Sequence, residues 1–266
     1  MAVPAAAIPA AAGLQADVHG PVVTIRVGAD VGPGSLAAVG SALRDVLRRL
    51  TGDVRVAIVR PGSVTSPSIF ASTAFTRPAH ASDRSPASPA ELIGGYQQWR
   101  AALDGLADRA DLISVAVVAG QTGDVGTALA AACDLRIFTA DAGLCPVWAH
   151  AGLLPAAGAL PRLVELAGWP AALDMCLTGR PLGAAEAARL GLAERVVPPA
   201  RLEAELDAVV TGLLTPPRAV TAEVKALAKL SRRASPPPPR LLPAAEAQAW
   251  DRLVAGLADA DHGAAG

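Results

Sequence analysis

The chain has 266 residues, of which 52% are hydrophobic and 18% charged, and its formal net charge is −1. That length builds one large domain, or one domain with an appendage, and a charge so near zero excludes an electrostatic case for nucleic acid or an anionic membrane as partner. Aromatic residues make up only 3%, so the core has to be assembled from Ala, Val, Leu and Ile in close helix contacts.

The first segment, MAVPAAAIPAAAG, is apolar but lacks a basic start and is interrupted by two prolines. It reads as a loose or surface-laid lead, not a signal peptide. No apolar run reaches the ~18 residues of a membrane helix, and the expected location is cytoplasmic. Pro21–Val27 is short and β-branched, a strand. After the turn-rich stretch 28–34, Ser35–Leu50 has helical apolar spacing with Ser35 as candidate N-cap. Val54–Arg60 is a second strand. Residues 61–89, rich in Ser, Pro, Thr and Ala, form a long loop of the kind that is often functional. Glu91–Ala110 is helical, and the continuous apolar run Ile113–Val118 is a strand buried on both faces.

The segment Val118–Ile137, VAGQTGDVGTALAAACDLRI, turns from that strand through glycines into a helix N-terminus. Such a turn can hold an anion or an oxyanion. Leu135–Ala140 is the next strand, Pro161–Gly179 reads as two short helices split near Pro170, Gly183–Leu192 as a helix and Ala193–Pro198 as a strand. Beyond Ala200 only helices are expected, over 200–214, 218–233 and 243–260, the last two separated by the stiff SPPPPR run of 235–240. The pattern predicts an α/β body over 1–199 and a helical region over 200–266.

Few residues offer chemistry. Cys133, Cys145 and Cys176 have neither CxxC nor metal-ligand spacing and read as buried thiols in a reducing compartment; Cys145 has no partner base nearby in sequence. Asp124 is either an N-cap, stabilising by about 1 kcal/mol, or a general base. His150 could titrate near neutrality, or simply form a hydrogen-bonded wall. Lys225 and Lys229, four apart, share one helical face. Arg180, following Thr178-Gly179, reads as a turn residue.

Three segments carry a family resemblance. ACDLRI (Ala132–Ile137), GLLPAAGALPRL (Gly152–Leu163) and LTGRPLGAAEAARLGLAERVVP (Leu177–Pro198) resemble the ACDxRI, GLxPGxGGTxRL and LTGxxxxAxEAxxxGLVxxVVP segments of the enoyl-CoA hydratase/isomerase (crotonase) superfamily, in register and without gaps. The resemblance is strong over the middle third of the chain. It implies a crotonase-type α/β spiral of repeated ββα units with a C-terminal helical trimerisation region, assembled as a homotrimer or hexamer. It implies an acyl-CoA or related thioester as ligand, CoA being part of the substrate, with no separate cofactor and no metal. In such a site two backbone N–H groups polarise the thioester carbonyl, each contributing about 3–4 kcal/mol, and a pair of glutamates handles water's elements.

Residue by residue, the family's GGGxE falls on Asp124-Val125-Gly126-Thr127-Ala128. The resemblance thus makes the Val125 N–H one oxyanion donor, with Gly126 beside it, and puts Ala128 where the first glutamate stands. Counting on from Asp134, Trp148 takes the second glutamate's place, where it lines the acyl pocket or packs in the core. The first donor falls on Ser68 within SPSIFA (Ser66–Ala71), or on Ser72 if four residues are inserted. The lysines would meet the CoA phosphates, or be a solvated helix face. The CoA-holding NRPxxxNAL segment has only VGADVGPGSL as its counterpart, and the segment after Trp250-Asp251-Arg252 is shorter than the family's. Neither alanine nor indole transfers a proton, so classical hydration is not expected. The alternatives are isomerisation, decarboxylation or thioester hydrolysis using Asp124, His150 or substrate groups, or a non-catalytic acyl-CoA-binding or partner protein.

Overall fold

Two strands not expected from the sequence open the fold. The structure, a computed structural model, describes residues 6–11, 13–29, 31, 33–50, 52–64, 89–151, 154–155 and 158–233. β1 (Ala6–Ala11) and β2 (Leu14–His19) pair antiparallel, and β2 continues antiparallel to β3 (Val22–Val27). Residues 6–11 of the lead are therefore strand, not loose chain. Pro9 is tolerated because β1 is an edge strand and its pairing shifts between Ile8 and Ala11, the positions where a missing N–H does least harm.

The long strands follow the apolar runs. β4 (Val56–Pro61), β5 (Ile113–Val118), β7 (Leu135–Thr139) and β10 (Arg195–Val197) extend the sheet in parallel from β3, in the order β1-β2-β3-β4-β5-β7-β10. Between them, β6 (Gln121–Thr122), β8 (Gly143–Leu144) and β9 (Leu182–Gly183) form a small second sheet. β5 and β7 each feed a short strand of that sheet, so successive turns of chain lay one strand in each sheet. This is the expected spiral of ββα units.

Helices close both faces, as parallel strands require. α1 (Leu36–Arg49), α2 (Pro89–Asp108) and α3 (Asp124–Ala132) cover Ala57, Val59, Ala116, Val118 and Phe138. Ser35 occupies the cap position of α1 without bonding the helix amides through its side chain. Gly40 lets α1 and α2 meet backbone to backbone: a Cβ there would lie 2.9 Å from the Gln98 carbonyl and the Trp99 nitrogen. The small-residue core predicted from the composition depends on such approaches. On the other face Leu202, Leu206 and Val209 of α7 (Leu202–Leu214) pack over Val56, Ile58, Val115, Val117 and Ile137.

α4 (Ala159–Ala167) and α5 (Trp169–Thr178) break at Gly168, whose φ of 81° suits glycine, while Pro170 sits inside the first turn of α5. α6 (Ala184–Arg189) precedes β10, and α8 (Arg218–Arg233) follows α7. The helix expected over 243–260, the SPPPPR run and most of the 61–89 loop lie outside the described residues. Among the described residues no helix is long and apolar enough to cross a membrane.

Candidate functional site

The turn between β5 and α3 is held from three sides. Gly120, with φ 73°, turns the chain out of β5, and a Cβ there would meet the Ser63 side chain at 3.2 Å. The Val64 N–H donates to the Gln121 carbonyl at 2.7 Å, and the Thr122 hydroxyl donates to the Gly62 carbonyl at 3.2 Å. At Gly126 a Cβ would fall 1.8 Å from the Thr122 hydroxyl and 3.0 Å from Pro61. Only glycine lets the first turn of α3 sit this close to the end of β4. The chain leaving β4 therefore passes alongside the start of α3. Ser68 and Ser72 lie outside the described residues.

α3 begins at Asp124, and its cap is the extended Gly123, whose carbonyl accepts from the Thr127 N–H at 2.8 Å. The first amides of a helix have no partner inside it, and Val125 and Gly126 occupy those places. The N-cap reading of Asp124 is thereby corrected. The helix starts one residue earlier than its sequence signal suggested, and the carboxylate reaches sideways rather than back onto the amides of its own helix. The Val147 N–H donates to Asp124 Oδ1 at 2.6 Å, and the Trp148 N–H adds to it. Burial nevertheless outweighs both bonds and pushes this carboxyl up to about 6, a value matched to proton transfer near neutral pH.

Trp148 is 2% exposed and Ala128 1%, both within the main core cluster. The half-buried Val125 packs against the same cluster. His150 stands apart in the exposed turn Ala149–Ala151, its ring against Gly179 at the end of α5. Among the described residues no hydrogen bond or ion pair joins it to Asp124. Arg180, just past Gly179, donates to Asp174 and Glu186 and ties α5 to α6.

Lys225 is the larger correction. Its side chain is 5% exposed, and Nζ donates to Asp134 Oδ2 and to the Leu112 carbonyl, both at 2.7 Å. Asp134 also accepts from the Ser114 N–H and hydroxyl at 2.8 and 2.9 Å. This lysine turns inward and pins α8 to the start of β5, so no charge is left for a ligand phosphate. Lys229 bonds Asp108 at 2.9 Å. It lines a polar cleft of about 330 Å³ with Asp104, Asp134, Arg162 and Glu165 at the far, C-terminal end of α3, away from Asp124. There Arg162 pairs with Asp104 at 2.6 Å.

The thiols are all buried, which keeps them protonated. Cys133 is raised to about 12, and Cys176 to about 11 by burial and then by the Asp124 charge; Cys145 is also raised and donates to Gln121 at 3.1 Å. No thiolate nucleophile is available at neutral pH. One half-buried residue of α2 had no sequence signal beyond its spacing. Tyr96, three positions ahead of the buried Trp99 on α2, is half-buried against the main core cluster. Burial, and after it the Asp124 charge, hold its phenol above the ordinary range.

Comparison with known proteins shows the family to which the chain belongs. The family model described as enoyl-CoA hydratase/isomerase matches residues 41–243. The chain is 39% identical over 84 residues to "Enoyl-CoA isomerase/hydratase claC" of Penicillium crustosum, covering 32% of this chain and 10% of that protein. It is 40% identical over 98 residues to "Probable enoyl-CoA hydratase echA8" of Mycobacterium bovis, covering 37% of this chain and 38% of the relative. The chain thus spans well under half the length of these curated relatives. A Thermobifida fusca YX protein solved in complex with CoA superposes with a TM-score of 0.77 at 30% identity, covering 93% of this chain and 95% of that one.

Proposed function

The chain belongs to the enoyl-CoA hydratase/isomerase family, and from that premise we propose that it binds an acyl-CoA thioester at the start of α3 and moves a proton beside the carbonyl. One arrangement supports the reading: Asp124, its carboxyl raised to about 6 by burial, is the first residue of α3, directly before Val125, whose N–H opens the helix. In this reading the thioester oxygen lies against the Val125 N–H and a second N–H from the Ser68 region. Asp124 takes a proton from the carbon next to the carbonyl. The C–H electron pair becomes the enolate, held by the two amides, and Asp124 returns the proton to the same or a vinylogous carbon. This is isomerase-type chemistry and needs one carboxyl, not two. The likeness to a CoA-bound relative supports the ligand class. Assembly as a homotrimer or hexamer belongs to the same proposal and is read by light scattering.

Ala128 and Trp148, buried where the ungapped family register puts the two glutamates, support an absence of ordinary hydration. Crotonyl-CoA hydration, followed by loss of enoyl absorbance, is expected near background, and a hydratase-like rate would overturn that register. Butyryl-CoA incubated with the protein in deuterium oxide is expected to exchange its α-protons, followed by proton NMR. Calorimetric binding without exchange would point instead to an acyl-CoA-binding protein without turnover. No affinity for any of a panel of acyl-CoAs would remove the proposal altogether.

A further inference from the structure

We propose that the Thr127 hydroxyl is the side-chain partner of the Asp124 carboxyl, donating to it when it is ionised and accepting from it when it carries the proton. Thr127 is thus a positioning residue, acting on the ligand only through Asp124. Its part in proton transfer rests on the proposed acyl-CoA chemistry; the pairing of the two side chains does not.

Thr127 is fully buried, and among the described residues its Oγ1 has no hydrogen-bond partner. Buried hydroxyls normally find one, and a threonine inside a helix usually bonds a carbonyl three or four residues back. Here the Gly123 carbonyl accepts from the Thr127 N–H at 2.8 Å, and the hydroxyl bonds neither that oxygen nor the backbone oxygen of Asp124. Its proton and its lone pairs are both unspent.

Helix geometry supplies the partner. Asp124 and Thr127 are three residues apart in the first turn of α3, a spacing that puts two side chains on one face with Cβ atoms about 5–6 Å apart. Side chains on a helix lean toward its N-terminus, so the Thr127 side chain is carried back over the turn that bears Asp124. The carboxyl has no side-chain donor among the described residues: its bonds come from the backbone amides of Val147 and Trp148, and a carboxylate can accept about four. In the proposed pair, rotation about Thr127 χ1 brings the hydroxyl onto the carboxyl with the backbone unmoved. A hydroxyl serves both protonation states. It donates to the carboxylate; when Asp124 takes a proton from the ligand carbon, the new carboxyl O–H donates to the Thr127 oxygen, and the threonine keeps its own proton. A methyl group in the same place does neither. The other titratable groups that feel the Asp124 charge are Tyr96 on α2 and Cys176 on α5, both held above their ordinary ranges, so neither changes charge where Asp124 titrates.

Thr127→Val removes the hydroxyl at nearly unchanged volume, and Thr127→Ser keeps it. The bond to a carboxylate is the stronger of the two that Thr127 makes, so its loss raises the carboxyl. The Asp124 midpoint, followed by the carbon-13 shift of its carboxyl against pH, is expected to rise by about one pH unit in Thr127→Val and to return to the parent value in Thr127→Ser. Exchange of butyryl-CoA α-protons at neutral pH is expected to fall about tenfold in Thr127→Val and to recover in Thr127→Ser. In the parent protein, the Thr127 methyl carbon is expected to titrate with the Asp124 midpoint. A Thr127→Val protein whose Asp124 titrates like the parent's overturns the pairing, and so does a parent Thr127 methyl that stays flat through that midpoint; the parent measurement gives its answer even where a variant folds poorly. If the parent exchanges no α-protons, the proposed chemistry falls while the two titrations still decide the pair.

Discussion

Asp124→Asn is expected to remove α-proton exchange and, at the same time, to make the folded chain more stable at neutral pH. The two effects have one cause. Burial raises this carboxyl from 3.8 to about 6, so at pH 7.5 the folded protein carries a charge that its surroundings disfavour. The sign follows from proton binding: between about pH 4 and pH 6 the folded state holds the Asp124 proton and the unfolded state has released it. Stability therefore falls as pH rises through that window and is level above it. A shift of this size corresponds to about 3 kcal/mol. Asn keeps an oxygen for the Val147 amide, but it accepts more weakly than a carboxylate, which gives back about 1 kcal/mol. The net gain is about 1–2 kcal/mol, or roughly 2–8 °C in Tm for a chain of this size. At pH 4, where the parent Asp124 is already protonated, the gain should vanish. Exchange should fall by about 100-fold or more, the usual weight of a general base. Thermal melts at the two pH values with exchange rates at pH 7.5 make the test. A variant less stable than the parent at pH 7.5 would mean that the carboxylate is a brace for the Val147–Trp148 turn and no more.

Much of this was legible in the chain. Ile113–Val118 was bounded to the residue because a six-residue apolar run between charged and glycine-rich flanks has one reading. The break between α4 and α5 was visible from Gly168 and Pro170, and the GDVG turn gave the start of α3 to within a residue. What escaped detection depended on long-range partners. β1 lies in an Ala- and Pro-rich lead whose strand character comes from pairing with β2, not from its own propensity. The short strands β6, β8 and β9, two residues each, are too short for any periodicity. At the site, the start of α3 was found through its glycines and its family segment. The raised carboxyl was not, because the burial of Asp124 comes from tertiary packing, and the amides it meets, at Val147 and Trp148, are distant in sequence. Lys225 failed for a related reason. Helical spacing of two lysines says which face they share, not whether that face is turned to solvent or inward to a partly buried aspartate.

That aspartate defines the second large effect. Lys225→Met is expected to destabilise the protein by about 2–3 kcal/mol, less than for a pair buried on both sides because Asp134 is 23% exposed and keeps part of its solvation. Typical domains have only about 5–15 kcal/mol in total. Asp134 would keep the Ser114 N–H and hydroxyl as donors but lose its counter-charge, and the Leu112 carbonyl would lose its donor from α8. The damage should be local as well as global, because Lys225 is the bolt between α8 and the β5–α3 unit. Amide exchange along Arg218–Arg233 should rise before exchange in β5. Lys225→Met combined with Asp134→Asn should recover part of the loss, since a neutral pair leaves no stranded charge, and the non-additivity of the two substitutions measures the coupling. The same variants separate structure from ligand binding. Measured on the folded fraction, CoA affinity should be unchanged in Lys225→Met, because its ammonium is spent inside the protein. A variant that melts like the parent and binds CoA more weakly would return Lys225 to the phosphates, against the geometry that places Nζ 2.7 Å from Asp134.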